Sequence, residues 1–318
     1  MKKIKWLATG GTISCIQTEI GLHPAAAESQ MCDMLNHIPE TGAEIVPECI
    51  MNIDSSDISV NDMKLIGIAA DNAIKEGYDG IVITHGTDTM AYTSAVLRKM
   101  LSGTPIPVII TGSQRPFYSA DSDGKANLLN AIKAAADSSL RDVFLLFGDK
   151  LIRGDRAHKD YTENDNAFVS SCGYSGIIQN GRLIVNEFPN ADTEYHFNLD
   201  FNENVMLIKL TPLTDGSIFT FAAESGVKGI VIDLLGVGMS GFREDEYDQD
   251  TLYDVAREAP TPLEAEPVIV DDVKRRGLLD ATDALRDRFG EGAVRFGHEL
   301  RNAGNTTGTG AKNPDDYK

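Results

Sequence analysis

The sequence predicts an α/β protein. It has a large N-terminal domain, built on a mostly parallel sheet flanked by helices, and a smaller C-terminal α/β domain that is atypical or incomplete. Short apolar runs alternate with segments of helical periodicity, which is typical of βαβ units. Hydrophobic residues make up 42% and charged residues 24% of the 318 residues. These proportions are those of a globular protein, and a chain of this length can bury a large core.

The N-terminal elements alternate in type along the chain. The first strand is predicted at residues 4–8 and ends at a Thr-Gly-Gly-Thr turn. A helix is predicted at 61–75, because Met63, Ile66 and Ala70 share one face and Gly77 follows as a stop signal. Further strands are predicted at 80–84, 107–111 and 143–147, and further helices at 91–101 and 126–136.

The predicted N-terminal domain spans residues 1–185 and is followed by a polar linker at 186–204. A C-terminal domain is predicted at 205–300, with strands at 205–210 and 229–235 and a helix-compatible stretch between them. After about residue 241 the pattern changes, since residues 241–250 hold five acids and one base. This part is either a diverged domain or a foreign tail. Its predicted elements are a strand at 267–270, a helix at 271–289 and a disordered end at 301–318.

Charge and hydropathy argue against several classes of partner. The 29 Lys and Arg against 48 Asp and Glu give a net charge of -19, which disfavours nucleic acid and anionic membranes. No apolar run approaches the roughly 18 residues of a membrane-spanning helix, and the first apolar stretch is too short for a signal peptide. A cytoplasmic protein is therefore expected. The four cysteines form no CxxC pair and are expected to be reduced thiols: Cys15, Cys32, Cys49 and Cys172.

Polar runs follow four of the predicted strands, at residues 9–12, 84–89, 111–115 and 148–159. Because the carboxyl ends of parallel strands meet at one edge of a sheet, we expect a single polar site there. The residues of any single run could be there only to form a turn, but four such runs at the same sheet edge favour a polar site. The sequence holds no GxSxG, GxxxxGK[ST] or HExxH motif. The lone His85 is interpreted as a structural hydrogen-bonder.

The chemistry available in these runs combines hydroxyl groups, a carboxylate and a lysine amine. A threonine hydroxyl needs a base to act as a nucleophile, and a lysine buried near a carboxylate can supply one. Thr87 could bridge Lys159 to an attacking water or hydroxyl. The attacked group would be an acyl carbon, and backbone N–H groups of the glycine turns would hold the oxyanion. This chemistry requires no metal and no organic cofactor.

Three motifs resemble the bacterial L-asparaginase family: Ala8-Thr-Gly-Gly-Thr-Ile13, Ile83-Thr-His-Gly-Thr-Asp-Thr-Met90, and Asn127-Leu-Leu-Asn-Ala131 after Thr111-Gly-Ser. The resemblance covers residues 1 to about 241, and residues 21–24 and 52–56 are closer to the cytoplasmic type I branch. It implies hydrolysis of the small-molecule substrate L-asparagine to L-aspartate and ammonia, with a weak glutaminase side activity. It also implies a homodimer or homotetramer.

The resemblance implies a catalytic set of Thr12, Thr87, Asp88 and Lys159, in which Thr12 is the nucleophile. The family's mobile loop carries a tyrosine that works with the nucleophile. Here that loop has Gly21-Leu22-His23-Pro24, and Tyr78 is the first tyrosine of the chain. Three alternatives follow: His23 or Glu19 replaces the tyrosine, the loop contributes closure only, or activity is low.

The resemblance also implies the substrate contacts, which are Ser55, Ser56, Gly86, Thr87, Asp88 and Ser113. Asp88 would hold the α-amino group and Ser55 the α-carboxylate, while the backbone at Ser113 would meet the side-chain amide. The second departure from the family lies at 236–241, where Met239 stands in place of an asparagine. In type II members that asparagine reaches a neighbouring site.

Three other functions remain open at this point. Residues 236–241 form a GxGxxG pattern after a predicted strand, which could bind a dinucleotide with Asp271 as the ribose partner. The amidase subunit of the archaeal glutamyl-tRNA amidotransferase resembles the same family, but it carries an extra N-terminal domain. A non-catalytic sensor of asparagine or aspartate could keep the pocket without turnover.

Overall fold

The computed structural model describes residues 1–18, 21–24, 27–162, 164–186, 194–211 and 213–233. The chain divides into two compact units, Met1–Asp200 and a second unit that begins at Phe201. Across the described residues no helix is both long and apolar enough to span a membrane.

The described residues form strands and helices that alternate through most of the first unit. The helices are α1 (Glu28–Asn36), α2 (Val60–Lys75), α3 (Met90–Met100), α4 (Gly124–Ala135) and α5 (Ser217–Glu224). The strands are β1 (Lys2–Gly10), β2 (Cys15–Thr18), β3 (Gly21–Pro24), β4 (Ala43–Ile53), β5 (Gly80–Thr84), β6 (Leu101–Ser102), β7 (Val108–Thr111), β8 (Val143–Phe147), β9 (Lys150–Arg153), β10 (His158–Lys159), β11 (Phe168–Val169), β12 (Gly176–Gln179), β13 (Arg182–Val185), β14 (His196–Phe197), β15 (Val205–Lys209) and β16 (Gly229–Asp233).

The main sheet has eight strands in the order β13-β12-β9-β8-β7-β5-β1-β4. Its five neighbours β8, β7, β5, β1 and β4 run parallel, whereas β9, β12 and β13 add antiparallel pairings at one side. Every residue of β5 and β8 is buried, as expected for parallel strands covered on both faces. The predicted α/β fold with a mostly parallel sheet is confirmed.

The core of the first unit lies on both faces of this sheet. On one face, helix residues such as Met31 of α1 and Leu128 of α4 pack with alternate residues of the strands, such as Trp6 of β1. On the other face, α2 packs against β1 and α3 against β8. The Trp6 indole Nε1 donates a hydrogen bond to Thr84 Oγ1 at 3.1 Å, so even the apolar layer carries a satisfied polar group.

The helix predicted at 61–75 is confirmed as α2, and its start has a clear physical cause. The Ser59 side chain accepts from the backbone N–H of Asp62, and the Asp62 carboxylate accepts from the backbone N–H of Ser59. This capping box satisfies two backbone donors that the first helical turn would otherwise leave unpaired. Met63, Ile66 and Ala70 are buried on the inner face, as the periodicity predicts.

Strand β4 is absent from the sequence prediction although it is the longest strand of the sheet. Its sequence, AEIVPECIMNI, contains Pro47 and three charged or polar interruptions, and it shows no continuous apolar run. Among the described strands it forms the edge of the sheet and pairs with β1 alone. A proline is tolerated at an edge because one side of the strand makes no ladder hydrogen bonds.

The segment predicted as a linker, 186–204, contains ordered structure in its described part. β14 pairs antiparallel with β6, and the Tyr195 hydroxyl donates to Asp71 Oδ1 at 2.7 Å. The boundary between the two units falls after Asp200. A two-residue strand is too short to produce a periodic pattern, so the sequence offers no sign of it.

In the second unit, β15 and β16 form a parallel pair, and α5 covers one face of it. Ile208, Phe219 and Ala222 are its buried core. Within the described residues this agrees with the strands predicted at 205–210 and 229–235. The elements predicted at 267–270 and 271–289, the disordered end predicted at 301–318, and Met239 lie outside the described residues.

Candidate active site

The ends of β1, β5 and β7 meet at one edge of the sheet, as the alternation predicts. Ala8 pairs with Thr84, and Thr84 pairs with Thr111, so the three loops that follow leave the sheet side by side. Gly11 has a φ of 76°, and a Cβ atom there would lie 2.4 Å from the backbone nitrogen of Gly86. Only glycine permits both this backbone conformation and this approach.

The loop after β4 joins the loops after β1 and β5. It carries Ser55, which is 4% exposed in the turn after that strand. Its Oγ accepts from the backbone N–H of Asp88 at 3.3 Å, and its carbonyl accepts from Thr89 Oγ1 at 2.8 Å. A Cβ at Gly86 would lie 2.5 Å from Ser55 Oγ. The loops after β1, β4 and β5 therefore form one connected surface.

Lys159 on β10 also contacts this surface, although it lies 72 residues after Thr87 in the sequence. Its Nζ donates to Thr87 Oγ1 at 2.9 Å and to Asp88 Oδ1 at 2.6 Å. The Thr87 side is closed to solvent, since Thr87 is 7% exposed and the lysine side chain 17%. The structure thus brings together the hydroxyl, amine and carboxylate that the sequence suggests as a relay.

Asp88 combines two bonded oxygens with an open face. Its Oδ2 accepts from Ser56 Oγ at 3.3 Å, and its side chain remains 58% exposed. The hydrogen bond and charge of Lys159, aided by Ser56, hold the pKa of the Asp88 carboxyl below its usual value despite partial desolvation. Asp88 is therefore an ionised carboxylate with room for a cation.

Thr12 begins a short turn, Thr12–Ser14, directly after Gly11, and it is partly buried. Ser14 Oγ donates to Gly11 O at 2.9 Å, and Gln30 Nε2 donates to Ser14 O at 3.1 Å. The contact of Gly11 with Gly86 places this turn against the loop that carries Thr87. Gln30, one of several polar residues of α1 and part of no motif, is absent from the sequence predictions.

Ser113 is 1% exposed, and its hydroxyl donates to the carbonyl of Arg115. The residue before it, Gly112, packs so closely that a Cβ there would lie 2.2 Å from His85 O. The loop after β7 is therefore a neighbour of the Thr87 loop. The contact of the Ser113 backbone with a substrate amide stays a prediction.

Known proteins match this chain both in sequence and in structure. The family model of the asparaginase N-terminal domain matches residues 3–190. The chain belongs to the asparaginase family. The L-asparaginase of Thermococcus kodakarensis is 34% identical over 298 residues, which is 93% of this chain and 86% of that protein. Its solved structure matches with a TM-score of 0.68 at 33% identity, covering 88% of this chain and 86% of that chain.

Two further relatives of this asparaginase-family chain differ in their activities. L-asparaginase 1 of Escherichia coli K12 is 34% identical over 245 residues, 74% of this chain and 72% of that protein. A glutamyl-tRNA(Gln) amidotransferase subunit of Methanosphaera stadtmanae is 31% identical over 253 residues, 74% of this chain but 57% of that protein. The Thermococcus match covers 93% of this chain. It therefore continues past residue 241, at which the resemblance seen in the sequence motifs ends.

The loop in which this asparaginase-family chain lacks the tyrosine follows the Thr12 turn directly. Its backbone forms the hairpin β2–β3, in which Gly21–Pro24 pairs antiparallel with Cys15–Thr18. Glu19 lies outside the described residues, so the choice among the three alternatives for the loop stays a prediction. In the described part of the chain, no three His, Cys, Asp or Glu side chains cluster closely enough to hold a metal ion.

His85 is a structural hydrogen-bonder, as the sequence suggests. It is 1% exposed, and burial lowers its pKa to about 4. The neutral ring donates from Nδ1 to Gly86 O at 2.7 Å and accepts at Nε2 from Thr93 Oγ1 at 3.0 Å. The buried His85 ring thus holds the carbonyl group of Gly86 in place.

Acid should therefore weaken the fold as pH falls from about 6.5 toward 4. The pKa of His85 lies near 4 in the folded state and near 6.5 in the unfolded state, so the unfolded state binds the extra proton between these values. Stability is retained above pH 6.5 and lost as pH falls toward 4. Urea unfolding followed by circular dichroism should show about 2 kcal/mol less stability at pH 5 than at pH 7.

Two variants test the assignment of this acid effect to His85. His85→Gln removes the titrating group, so its stability should change far less between pH 7 and pH 5. His37→Gln replaces an exposed histidine of the same unit and should keep the full difference. An equal loss of stability in wild type and His85→Gln would show that another group causes the acid effect.

Proposed function

We propose that the protein hydrolyses L-asparagine to L-aspartate and ammonia, with Thr12 as the nucleophile. The observation that supports this best is the cluster in which Lys159 Nζ contacts both Thr87 Oγ1 at 2.9 Å and Asp88 Oδ1 at 2.6 Å. It stands beside the Thr12 turn because Gly11 contacts Gly86. Membership of the asparaginase family adds the reaction class.

The substrate's charged groups have partners in this proposal. The α-ammonium group binds the exposed carboxylate of Asp88, which its contact with Lys159 keeps ionised. The α-carboxylate binds at Ser55 and Ser56. Because Ser55 Oγ already accepts from the Asp88 backbone N–H, its own hydrogen points elsewhere and can be donated to a carboxylate. The side-chain amide then lies between the Thr12 turn and the loop of Ser113.

The reaction proceeds in two halves. When the substrate ammonium pairs with Asp88, Lys159 no longer has to neutralise that carboxylate and releases one proton to water. Thr12 Oγ1 then attacks the amide carbon as its proton passes through Thr87 to the neutral amine of Lys159, and backbone N–H groups stabilise the oxyanion. The amide nitrogen takes this proton back from Lys159 through Thr87, the C–N bond breaks and ammonia leaves, so that the aspartyl group remains as an ester on Thr12. Water, deprotonated by the same relay, then cleaves the ester and releases L-aspartate. Glutamine, which is longer than asparagine by one methylene, is a weaker substrate. One methylene changes the free energy of transition-state binding by only about 1–3 kcal/mol.

Two other functions compete with this one. A binding protein for asparagine would use Asp88 and Ser55 without turnover, and the missing loop tyrosine favours it. A role within an amidotransferase is favoured by the relative from Methanosphaera, of which this chain spans 57%. The GxGxxG pattern at 236–241 lies outside the described residues. A cytoplasmic location and a homodimeric or homotetrameric assembly stay predictions of the family resemblance.

Ammonia release from L-asparagine by the purified chain separates these functions. We expect steady release without tRNA, partner protein or added metal, and no loss of rate in EDTA, because the proposed chemistry uses only side chains of the chain. Thr12→Ala serves as the inactive control. Tight binding of asparagine without ammonia release would establish the sensor, and release that depends on tRNA would establish the amidotransferase role. Loss of activity in EDTA would contradict the cofactor-free mechanism.

A further inference from the structure

A buried asparagine lies behind the site without belonging to the catalytic set. Asn127 on α4 is 1% exposed. Its Nδ2 donates to the carbonyl of Gly112 at 2.9 Å and to Asp123 Oδ2 at 3.2 Å, and its Oδ1 accepts from the backbone N–H of Gly148 at 3.1 Å. This single amide therefore joins the loop after β7 to the loop after β8.

Asp123 extends the same hydrogen-bond network along the first of these loops. Its carboxylate accepts from the backbone N–H of Gln114 at 2.9 Å and from that of Arg115 at 3.0 Å. Together with the Asn127 bond to Gly112, the pair holds both ends of the four-residue loop 112–115. Such a polar network rigidifies its surroundings when every member is satisfied.

The loop held in this way contacts both threonine loops. Gly112 is so close to the Thr87 loop that a Cβ there would lie 2.2 Å from His85 O. Farther along the same connection, Phe117 N donates to Ile13 O at 3.2 Å, in the turn that begins with Thr12. Loop 112–117 is thus held by Asn127 and Asp123, and it supports the two threonine loops in addition to the direct contact of Gly11 with Gly86.

We propose that Asn127, acting with Asp123, is a positioning residue that aligns the Thr12 turn with the Thr87 loop for the attack step. This inference rests on the proposed function. Burying an amide has a desolvation cost that an apolar side chain in the same helix position avoids. A displacement of about 1 Å between reacting groups can cost about 100-fold in rate, so the network affects turnover more than substrate affinity.

The test replaces Asn127 by leucine, which has the same branching and number of side-chain heavy atoms but makes none of the three hydrogen bonds. We expect kcat for asparagine to fall about 10- to 100-fold. KM, and the Kd of L-aspartate by calorimetry, should stay within about threefold, since the charged groups of the substrate bind at Asp88, Ser55 and Ser56, which lie outside loop 112–115, and the Ser113 backbone meets only the reacting amide. Asn130→Leu is the matched control: it lies three residues later on α4, is partly exposed, and should keep wild-type kcat.

Asp123→Asn provides a second variant if Asn127→Leu does not fold. It keeps the side-chain shape but removes an acceptor for the two backbone N–H groups. We expect a smaller loss of kcat, about 3- to 10-fold, again with KM nearly unchanged. Wild-type kcat in a folded Asn127→Leu protein, or in Asp123→Asn when the first variant is unfolded, would overturn the inference. A wild-type protein that releases no ammonia would instead overturn the proposed function.

Discussion

Thr12→Ala should lower asparagine turnover by at least about 10³-fold while leaving the fold and the substrate-binding groups in place. The substitution removes only the hydroxyl that forms the bond to carbon. The turn itself is held by Ser14 Oγ and Gln30, neither of which uses the Thr12 side chain. Asparagine should therefore still bind, and calorimetry of the inactive variant should give a Kd close to the wild-type value.

Asp88→Ala provides the contrast for this prediction. It removes the carboxylate that pairs with the substrate ammonium, so binding of L-aspartate should be lost along with turnover. Tight aspartate binding to Asp88→Ala would contradict the role of that carboxylate. Residual turnover of Thr12→Ala within about tenfold of wild type would show that another group is the nucleophile.

Thr87→Val and Lys159→Met should each reduce kcat by about 10²- to 10⁴-fold, the range typical of a positioned proton carrier. Valine keeps the shape of threonine, and methionine fills most of the space of the lysine stem. Each change removes one of the two groups that make the 2.9 Å hydrogen bond between Lys159 Nζ and Thr87 Oγ1, so the remaining group can no longer pass the proton on. Steady-state kinetics of the two variants, measured under identical conditions over a range of pH, give the two losses directly.

The double variant decides whether the two residues act as one relay. Members of a single unit are strongly non-additive, so Thr87→Val combined with Lys159→Met should be no slower than the worse single variant. Multiplied losses would show that the two side chains act separately. Lys159→Met also removes the amine that holds Asp88 ionised, so aspartate affinity should be measured alongside and corrected for.

The fold could be predicted as far as apolar periodicity extends. β5 and β8 are continuous apolar runs because helices cover both faces of the sheet, and α2 shows its buried stripe. β4 could not be predicted, since an edge strand tolerates Pro47 and side chains facing solvent. The short strands β6 and β14 are defined by backbone pairing alone, which leaves no mark on residue type.

The same difference separates the parts of the candidate site. Thr12, Thr87 and Asp88 stand in dense glycine-threonine motifs at strand ends, so their convergence follows from the parallel sheet. Lys159 lies 71 positions beyond Asp88, at the end of the polar run 148–159, so its assignment rests on that run and on the family resemblance, without a motif around it. The bonds made by Gln30 and Asn127 could not be predicted: Gln30 is one of several polar residues of α1, and the motif that contains Asn127 does not indicate which backbone groups its amide contacts.

The chain contains one tryptophan, and its location gives the protein a built-in optical probe. The Trp6 indole is bonded to Thr84, the last residue of the strand that leads to Gly86, Thr87 and Asp88. Emission excited at the long-wavelength end of tryptophan absorption, where the nine tyrosines absorb little, therefore arises from a single indole close to that edge. Changes in its wavelength or lifetime during titration can be assigned to this one environment, so occupancy can be followed without a label.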